Sequence, residues 1–93
     1  NLVHIAHNVK IGKNTLIIAN AMIAGSVIIG ENCWIAPSSC IRNGITIGDN
    51  VTVGLASTVT KNIGSSQTVM GSPAVSIEDF LKLREQQKSF LKE

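Results

Sequence analysis

The chain has 93 residues, a formal net charge of +2 and charged side chains at only 15% of positions. That length allows one domain, and the slight, scattered positive charge gives no basic face for nucleic acid. Hydrophobic residues make up 44% but aromatics only 3%, so a core must be filled by Ile, Val and Ala rather than by rings. No apolar run reaches the ~18 residues of a membrane-crossing helix.

Ile5, Ile11, Ile17, Ile23, Ile29, Ile35, Ile41, Ile47, Val53 and Val59 recur every six residues without a break. A strand alternates every two residues and a helix repeats every 3.6, and neither gives six. A β-branched period of six predicts short flat segments joined by regular corners and wound as a solenoid. The position four after each ladder residue is small or branched: Val9, Thr15, Ala21, Val27, Cys33, Ser39, Ile45, Val51, Ser57 and Ile63. Each hexad therefore points two side chains inward, one large and one small. Asn8, Asn14, Asn20, Asn32 and Asn50 fall where corners need positive φ.

This pattern resembles the hexapeptide-repeat transferases, whose fold is a left-handed parallel β-helix. The resemblance covers residues 3–64, about two thirds of the chain. It implies that three hexads close one triangular coil and that residues eighteen apart stack. Coils are then expected at 5–22, 23–40 and 41–58, with a partial one to 64, in a β-helix spanning residues 1–64. Because Asn1 is not a start methionine and Val3 already fills an inward slot, the array is expected to begin mid-repeat, as the C-terminal part of a longer protein. Cys33 falls inward and Cys40 outward, which predicts reduced thiols without a mutual disulfide and a cytoplasmic setting. Leu16 and Trp34 stack outward below Thr52, and Met22 and Cys40 form a second outward pair beside Ile28. Exposed apolar columns mark contact surfaces, here either a subunit interface or the wall of a groove.

After Ile63-Gly64 the period stops. Residues 65–75 read as an extended connector with a turn at Gly71-Ser72-Pro73. The segment 76–93 reads as a helix from about 77 to 91. Ser76 is its N-cap, and Glu78 and Asp79 sit in its first turn. Ile77, Phe80, Leu81, Arg84, Gln87, Lys88 and Leu91 follow helical spacing, and Leu83 and Phe90 widen the apolar face. That face is expected to pack across the last coil or against a symmetry mate.

His4 and His7 are the only histidines, and no Ser-His-Asp set can be assembled around them. They lie three apart across a corner with no third ligand nearby, so no metal site is expected. His7 points outward by the alternation, and its column continues as Gly25, Asn43 and Lys61. The segment Asn1-Leu2-Val3-His4-Ile5-Ala6-His7-Asn8-Val9 and the later Ile23-Ala24-Gly25-Ser26 resemble motifs of the UDP-3-O-acylglucosamine N-acyltransferases of lipid A assembly. The resemblance implies that His7 is the general base, with His4 beside it lining the groove. An imidazole titrates near neutrality and can take the proton of an attacking amine. Gly25 then either lets substrate reach a backbone N–H that stabilises the oxyanion, or is a corner glycine held at positive φ. Asn43 extends the same column.

Gly71-Ser72-Pro73-Ala74 resembles the exit segment of many sugar acetyltransferases, which passes close to the acyl donor's thioester arm. By itself it reads equally as a turn into the helix. One departure is that Asn43-Gly44 is followed by Ile45, where the lipid A family carries a second histidine. The acid that would orient His7 must come from stacked coils or another subunit, and Glu31 and Asp49 are the only carboxylates in the array. The implied function is acyl transfer from a thioester donor, acyl carrier protein or acetyl-CoA, to the amino group of a nucleotide-linked sugar. No tightly bound cofactor is expected, and the assembly is expected to be a homotrimer. A sugar O-acetyltransferase and a non-catalytic hexapeptide scaffold remain the alternatives.

Overall fold

A computed structural model describes residues 3–92, and side chains as far as residue 87. Ten two-residue strands follow the sequence period: β1 (His4–Ile5), β2 (Lys10–Ile11), β3 (Leu16–Ile17), β4 (Met22–Ile23), β5 (Ile28–Ile29), β6 (Trp34–Ile35), β7 (Cys40–Ile41), β8 (Thr46–Ile47), β9 (Thr52–Val53) and β10 (Thr58–Val59). The chain continues through β11 (Thr68–Met70), β12 (Val75–Ser76) and α1 (Ile77–Lys92).

Each early strand pairs in parallel with the strand three places on. His4 aligns with Met22, Met22 with Cys40, and Thr58 with Cys40. Leu16 aligns with Trp34 and Trp34 with Thr52. The register is eighteen residues, or three hexads per coil. The three faces of the resulting prism are β1-β4-β7-β10, β2-β5-β8 and β3-β6-β9-β11-β12. They meet at three edges. Edge I joins the first face to the second at residues 7–8, 25–26 and 43–44. Edge II carries 13–14, 31–32 and 49–50, and edge III carries 19–20, 37–38 and 55–56.

The core is the predicted pair of columns. Ile23, Ile29, Ile35, Ile41, Ile47, Val53 and Val59 are buried, and so are Ala21, Val27, Cys33, Ser39, Ile45, Val51 and Ser57. Buried hydroxyls are paired, as burial requires: Ser39 Oγ donates to the Gly54 carbonyl at 3.0 Å and Ser57 Oγ accepts from the Gly71 N–H at 3.1 Å. Ile5 and Ile11 keep the inward register under Ile23 and Ile29. They are nevertheless 47% and 38% exposed, because their coil has a neighbour on one side only. Cys33 is buried, Cys40 is half-buried, and both are free thiols.

Positive φ is a property of the second corner position and not of Asn alone. It occurs at Asn8, Asn14, Asn20, Asn32 and Asn50, but also at Ser26, Ser38, Gly44, Ala56 and Ser66. Ala56, at φ 53, has no side-chain hydrogen bond to offset the left-handed conformation. Relief of about 1 kcal/mol of strain, partly cancelled by unfolded-chain entropy, should make Ala56→Gly neutral to slightly stabilising. Denaturant unfolding checks this, and a clear loss of stability would contradict the corner geometry.

The period breaks earlier than the sequence suggests. Ile63 pairs with Ile47 and Val69 with Val53, offsets of sixteen residues. The corner at Lys61-Asn62 is short, and Asn62 Oδ1 accepts the Thr46 N–H at 2.8 Å, where backbone pairing has been cut out. Ile63 therefore stands over ladder residue Ile47, not over Ile45 in the second column. With the register shifted, Thr68–Met70 becomes a fourth parallel strand of the third face where an extended connector is expected, and Val69 is buried.

The chain then turns at Gly71–Ala74, and β12 runs back antiparallel to β11. This ends the third face with a reversed strand rather than an open parallel edge. Ala74 packs on the core, and its N–H donates to the Thr58 carbonyl at 2.7 Å. Ser76 Oγ caps α1 by accepting the Asp79 N–H at 3.2 Å, as expected. The helix touches β11 and β12, with Ile77 and Phe80 half-buried, but Leu81 and Leu83 stay 52% exposed. The last coil thus covers only the first part of the expected apolar face. The Phe90 and Leu91 side chains lie outside the described residues. No helix among the described residues is long and apolar enough to cross a membrane.

Candidate active site

His7 is the first residue of the lowest corner on edge I. It follows β1, and Asn8 at φ 62 turns the chain into the second face. The imidazole is exposed, and among the described residues it has no hydrogen-bond partner. One coil up, the Ser26 N–H donates to the His7 carbonyl at 3.0 Å, and another coil up the Gly44 N–H donates to the Gly25 carbonyl at 2.9 Å. These bonds stack His7, Gly25 and Asn43 in the expected column.

Gly25 has no conformational need to be glycine. Positive φ at its corner belongs to Ser26 (φ 59), and Gly25 itself is outside that region. Nor does packing demand it. A methyl group built there would meet only the His7 carbonyl oxygen, at 3.6 Å, an ordinary contact. The corner-glycine explanation is thereby removed, and the space in front of the Gly25 backbone is open on the side of His7.

The carboxylates do not orient His7. Glu31 and Asp49 both stand on edge II, and Asp49 Oδ1 is engaged by the Glu31 N–H at 2.8 Å. Neither shares an edge with the imidazole. Ile45 is buried in the prism, so a side chain at that place cannot reach the groove. Sequence reasoning gave no sign of the edge II caps. Asp49 caps the Glu31 N–H, and Ser65 Oγ accepts the Asp49 N–H at 3.0 Å. The only available signal was an oxygen-bearing residue recurring at the same corner place.

His4 lies on β1, facing out from the first face with Met22 directly above it. It lines a shallow cleft of about 280 Å³ with Val3, Asn20, Ala21 and Met22. Gly71, Ser72 and Pro73 stand at the other end of the same face. The Thr58 N–H of β10 donates to the Gly71 carbonyl at 2.9 Å, and Ser72 Oγ is 3.2 Å from Thr58 Oγ1. Gly71 has φ +106, and a side chain there would press on Phe80 at 3.2 Å, so the turn alone requires this glycine. The three residues border a groove of about 450 Å³, completed by Val75, Phe80, Leu83, Arg84 and Gln87.

His7 and the exit segment are thus not neighbours in one chain. Both flank the first face, whose outward column runs His4, Met22, Cys40, Thr58. Three strand steps separate their ends, about 14 Å at the ~4.8 Å strand spacing. The edge I column is drawn together; the two ends of the face are joined only by that floor.

The chain resembles known proteins in sequence and in fold. It is 60% identical over 82 residues to UDP-3-O-acylglucosamine N-acyltransferase 2 of Legionella pneumophila (strain Lens), covering 88% of this chain and 24% of that protein. It is 66% identical over 83 residues to UDP-3-O-acylglucosamine N-acyltransferase of Cytophaga hutchinsonii, with 88% and 24% covered. The chain spans about a quarter of the length of these curated relatives. A hexapeptide-repeat acetyltransferase from Vibrio cholerae superposes with TM-score 0.60 at 18% identity, over 80% of this chain and 72% of that one. A variant of GDP-perosamine N-acetyltransferase from Caulobacter crescentus, solved with CoA and GDP-perosamine, superposes with TM-score 0.61 at 23% identity, over 80% and 44%. These two likenesses bear on the fold, and they give the left-handed parallel β-helix expected from the sequence. The model described as bacterial transferase hexapeptide (six repeats) matches residues 8–41 and 26–61, which together span more than half of the chain. The chain belongs to the bacterial transferase hexapeptide family.

Proposed function

We propose that this segment carries the acyl-transfer site of an N-acyltransferase that acts on the amino group of a nucleotide-linked sugar. The observation that carries the reading is the edge I column: an exposed His7 directly below Gly25, a residue that neither backbone nor packing requires to be glycine. The names of the curated relatives support the acceptor, UDP-3-O-acylglucosamine. The donor is a thioester, of acyl carrier protein or of coenzyme A, and the CoA held by the perosamine enzyme supports the second chemistry. Donor and acceptor are co-substrates, and no resident cofactor takes part. The two free thiols fit a reducing, cytoplasmic compartment.

His7 takes a proton from the sugar amine as its nitrogen bonds to the thioester carbonyl carbon. The carbonyl π electrons move to oxygen and return as the C–S bond breaks. The sulfur leaves as thiolate and takes the proton back from the imidazolium, giving amide and thiol. His4 lines the acceptor side of the groove, Asn43 continues the edge I wall, and Gly71, Ser72 and Pro73 hold the donor arm at the far end of the first face. Since these ends lie apart in one chain, the working cleft forms between subunits of a homotrimer.

The test is the complete protein incubated with UDP-3-O-acylglucosamine and, separately, an acyl-carrier-protein thioester or acetyl-CoA. The expected result is a sugar nucleotide heavier by one acyl group, with free thiol released in equal amount. No acylated sugar with either donor would sink the reading.

Assembly is testable separately. Leu16 and Trp34 are 53% and 44% exposed and stacked, as a subunit contact requires. Trp34→Glu, which buries a charge if that contact forms, is expected to convert the trimer to smaller species in sedimentation. A variant that stays trimeric would move Trp34 from the interface to the groove wall.

A further inference from the structure

The three edges of the prism treat their backbone N–H groups differently, and the difference falls on His7. On edge II the N–H of a first corner residue projects toward the side chain standing one coil further on. Asp49 Oδ1 accepts the Glu31 N–H at 2.8 Å, and Ser65 Oγ accepts the Asp49 N–H at 3.0 Å. The corner bonds that set this relation, Asn50 N–H to Glu31 carbonyl and Ser66 N–H to Asp49 carbonyl, are both 2.8 Å. The same corner bond on edge I joins the Ser26 N–H to the His7 carbonyl at 3.0 Å. Gly25 thus stands to His7 as Asp49 stands to Glu31.

Gly25 has no side chain, so the chain itself cannot cap the His7 N–H. Among the described residues neither the His7 N–H nor the Gly25 N–H has an acceptor. The two cases are not equivalent. Asn43, one coil above Gly25, bears an amide oxygen that could cap the Gly25 N–H as Asp49 caps Glu31. Only the His7 N–H is left open by the covalent structure of the residue above it.

We infer that the backbone N–H of His7 is the oxyanion donor of the reaction, the same residue supplying base and oxyanion contact. This deepens the acyl-transfer reading above and rests on it. The acyl oxygen takes the place that a side-chain oxygen occupies on edge II, about 3 Å from the donor nitrogen. It then lies beside the imidazole that receives the amine proton. Charge that develops on this oxygen as the nitrogen attacks is met by a fixed dipole. In this account Gly25 is glycine because any side-chain oxygen there would satisfy the donor internally.

The comparison of Gly25→Ala with Gly25→Ser in the complete protein tests it, using UDP-3-O-acylglucosamine and an acyl-carrier-protein thioester. The two side chains differ by one oxygen, and neither meets more than the His7 carbonyl at its Cβ. Gly25→Ser should lower kcat about 10²–10³-fold, the usual loss for one oxyanion donor. Gly25→Ala should retain at least ten times the kcat of the Ser variant, with KM similar in both. Amide hydrogen exchange gives a second readout, in which the His7 N–H is protected in free Gly25→Ser but not in Gly25→Ala. Equal kcat in the two variants, or no gain of His7 protection in the Ser variant, would overturn the inference. Failure of the underlying reading looks different, because His7→Ala would then keep parental turnover whatever stands at position 25.

Discussion

His7→Ala should lower turnover of the complete enzyme by about 10²–10⁴-fold, the range for loss of a positioned general base. The imidazole stands free on edge I, held by no partner among the described residues, so its removal leaves no buried group unpaired. Melting temperature should therefore stay near parental, which separates a chemical defect from a folding one. Binding of the thioester donor should change little, since the imidazole acts on the acceptor's proton. His4→Ala, on the outward side of β1 under Met22, should have a much smaller effect on kcat. The rising limb of rate against pH that belongs to imidazole deprotonation should disappear in the His7 variant. Steady-state kinetics on both variants read this, and near-parental turnover of His7→Ala would place the base elsewhere.

Ile35→Ala should cost the fold about 2–5 kcal/mol. Ile35 is 0% exposed, with Ile17 below and Val53 above in one stacked column. A coil hydrogen-bonded on both sides cannot collapse around the lost atoms. The Trp34 N–H donates to the Val51 carbonyl at 2.9 Å and the Ile18 N–H to the Ile35 carbonyl at 3.0 Å, which pins the backbone on each side of the cavity. Ile5→Ala should cost far less, because Ile5 is half exposed. Thermal or denaturant unfolding of both variants in the complete protein measures the contrast. Equal costs would mean that the ladder does not point into a continuous core.

The β-helix was legible because its core imposes a strict code. Each coil has room for one ladder residue and one smaller residue per face, and the run from Ile23 to Val59 obeys it. The short coil was hidden by a coincidence of spacing. Ile63 follows Val59 by four residues, as a second-column residue should, yet Asn62 cuts the corner and puts it over Ile47. Once the offset falls to sixteen, Val69 becomes the next ladder residue and a segment read as connector joins the third face.

The candidate site was legible in part. The stacking of His7, Gly25 and Asn43 follows from the eighteen-residue repeat. The reason for Gly25 did not, since sequence cannot say which of two corner residues takes positive φ, and Ser26 takes it. The acids were misjudged for a geometric reason. Glu31 and Asp49 are corner residues like His7, but six residues along the chain is one edge around the prism. The donor end at Gly71-Ser72-Pro73 was visible as a motif, while its separation from His7 needed the order of strands in the first face.

The most direct test is a crystal structure of the complete protein with a ketone analogue of the acyl thioester, in which the C–S bond is replaced by C–C and cannot break. The account predicts the analogue carbonyl on edge I, between His7 and Gly25, with its carbon open to an amine held ~3–3.5 Å away and within reach of the imidazole. A carbonyl seated on edge II or III, or retained in the groove beside Phe80 and Arg84 far from His7, would contradict it.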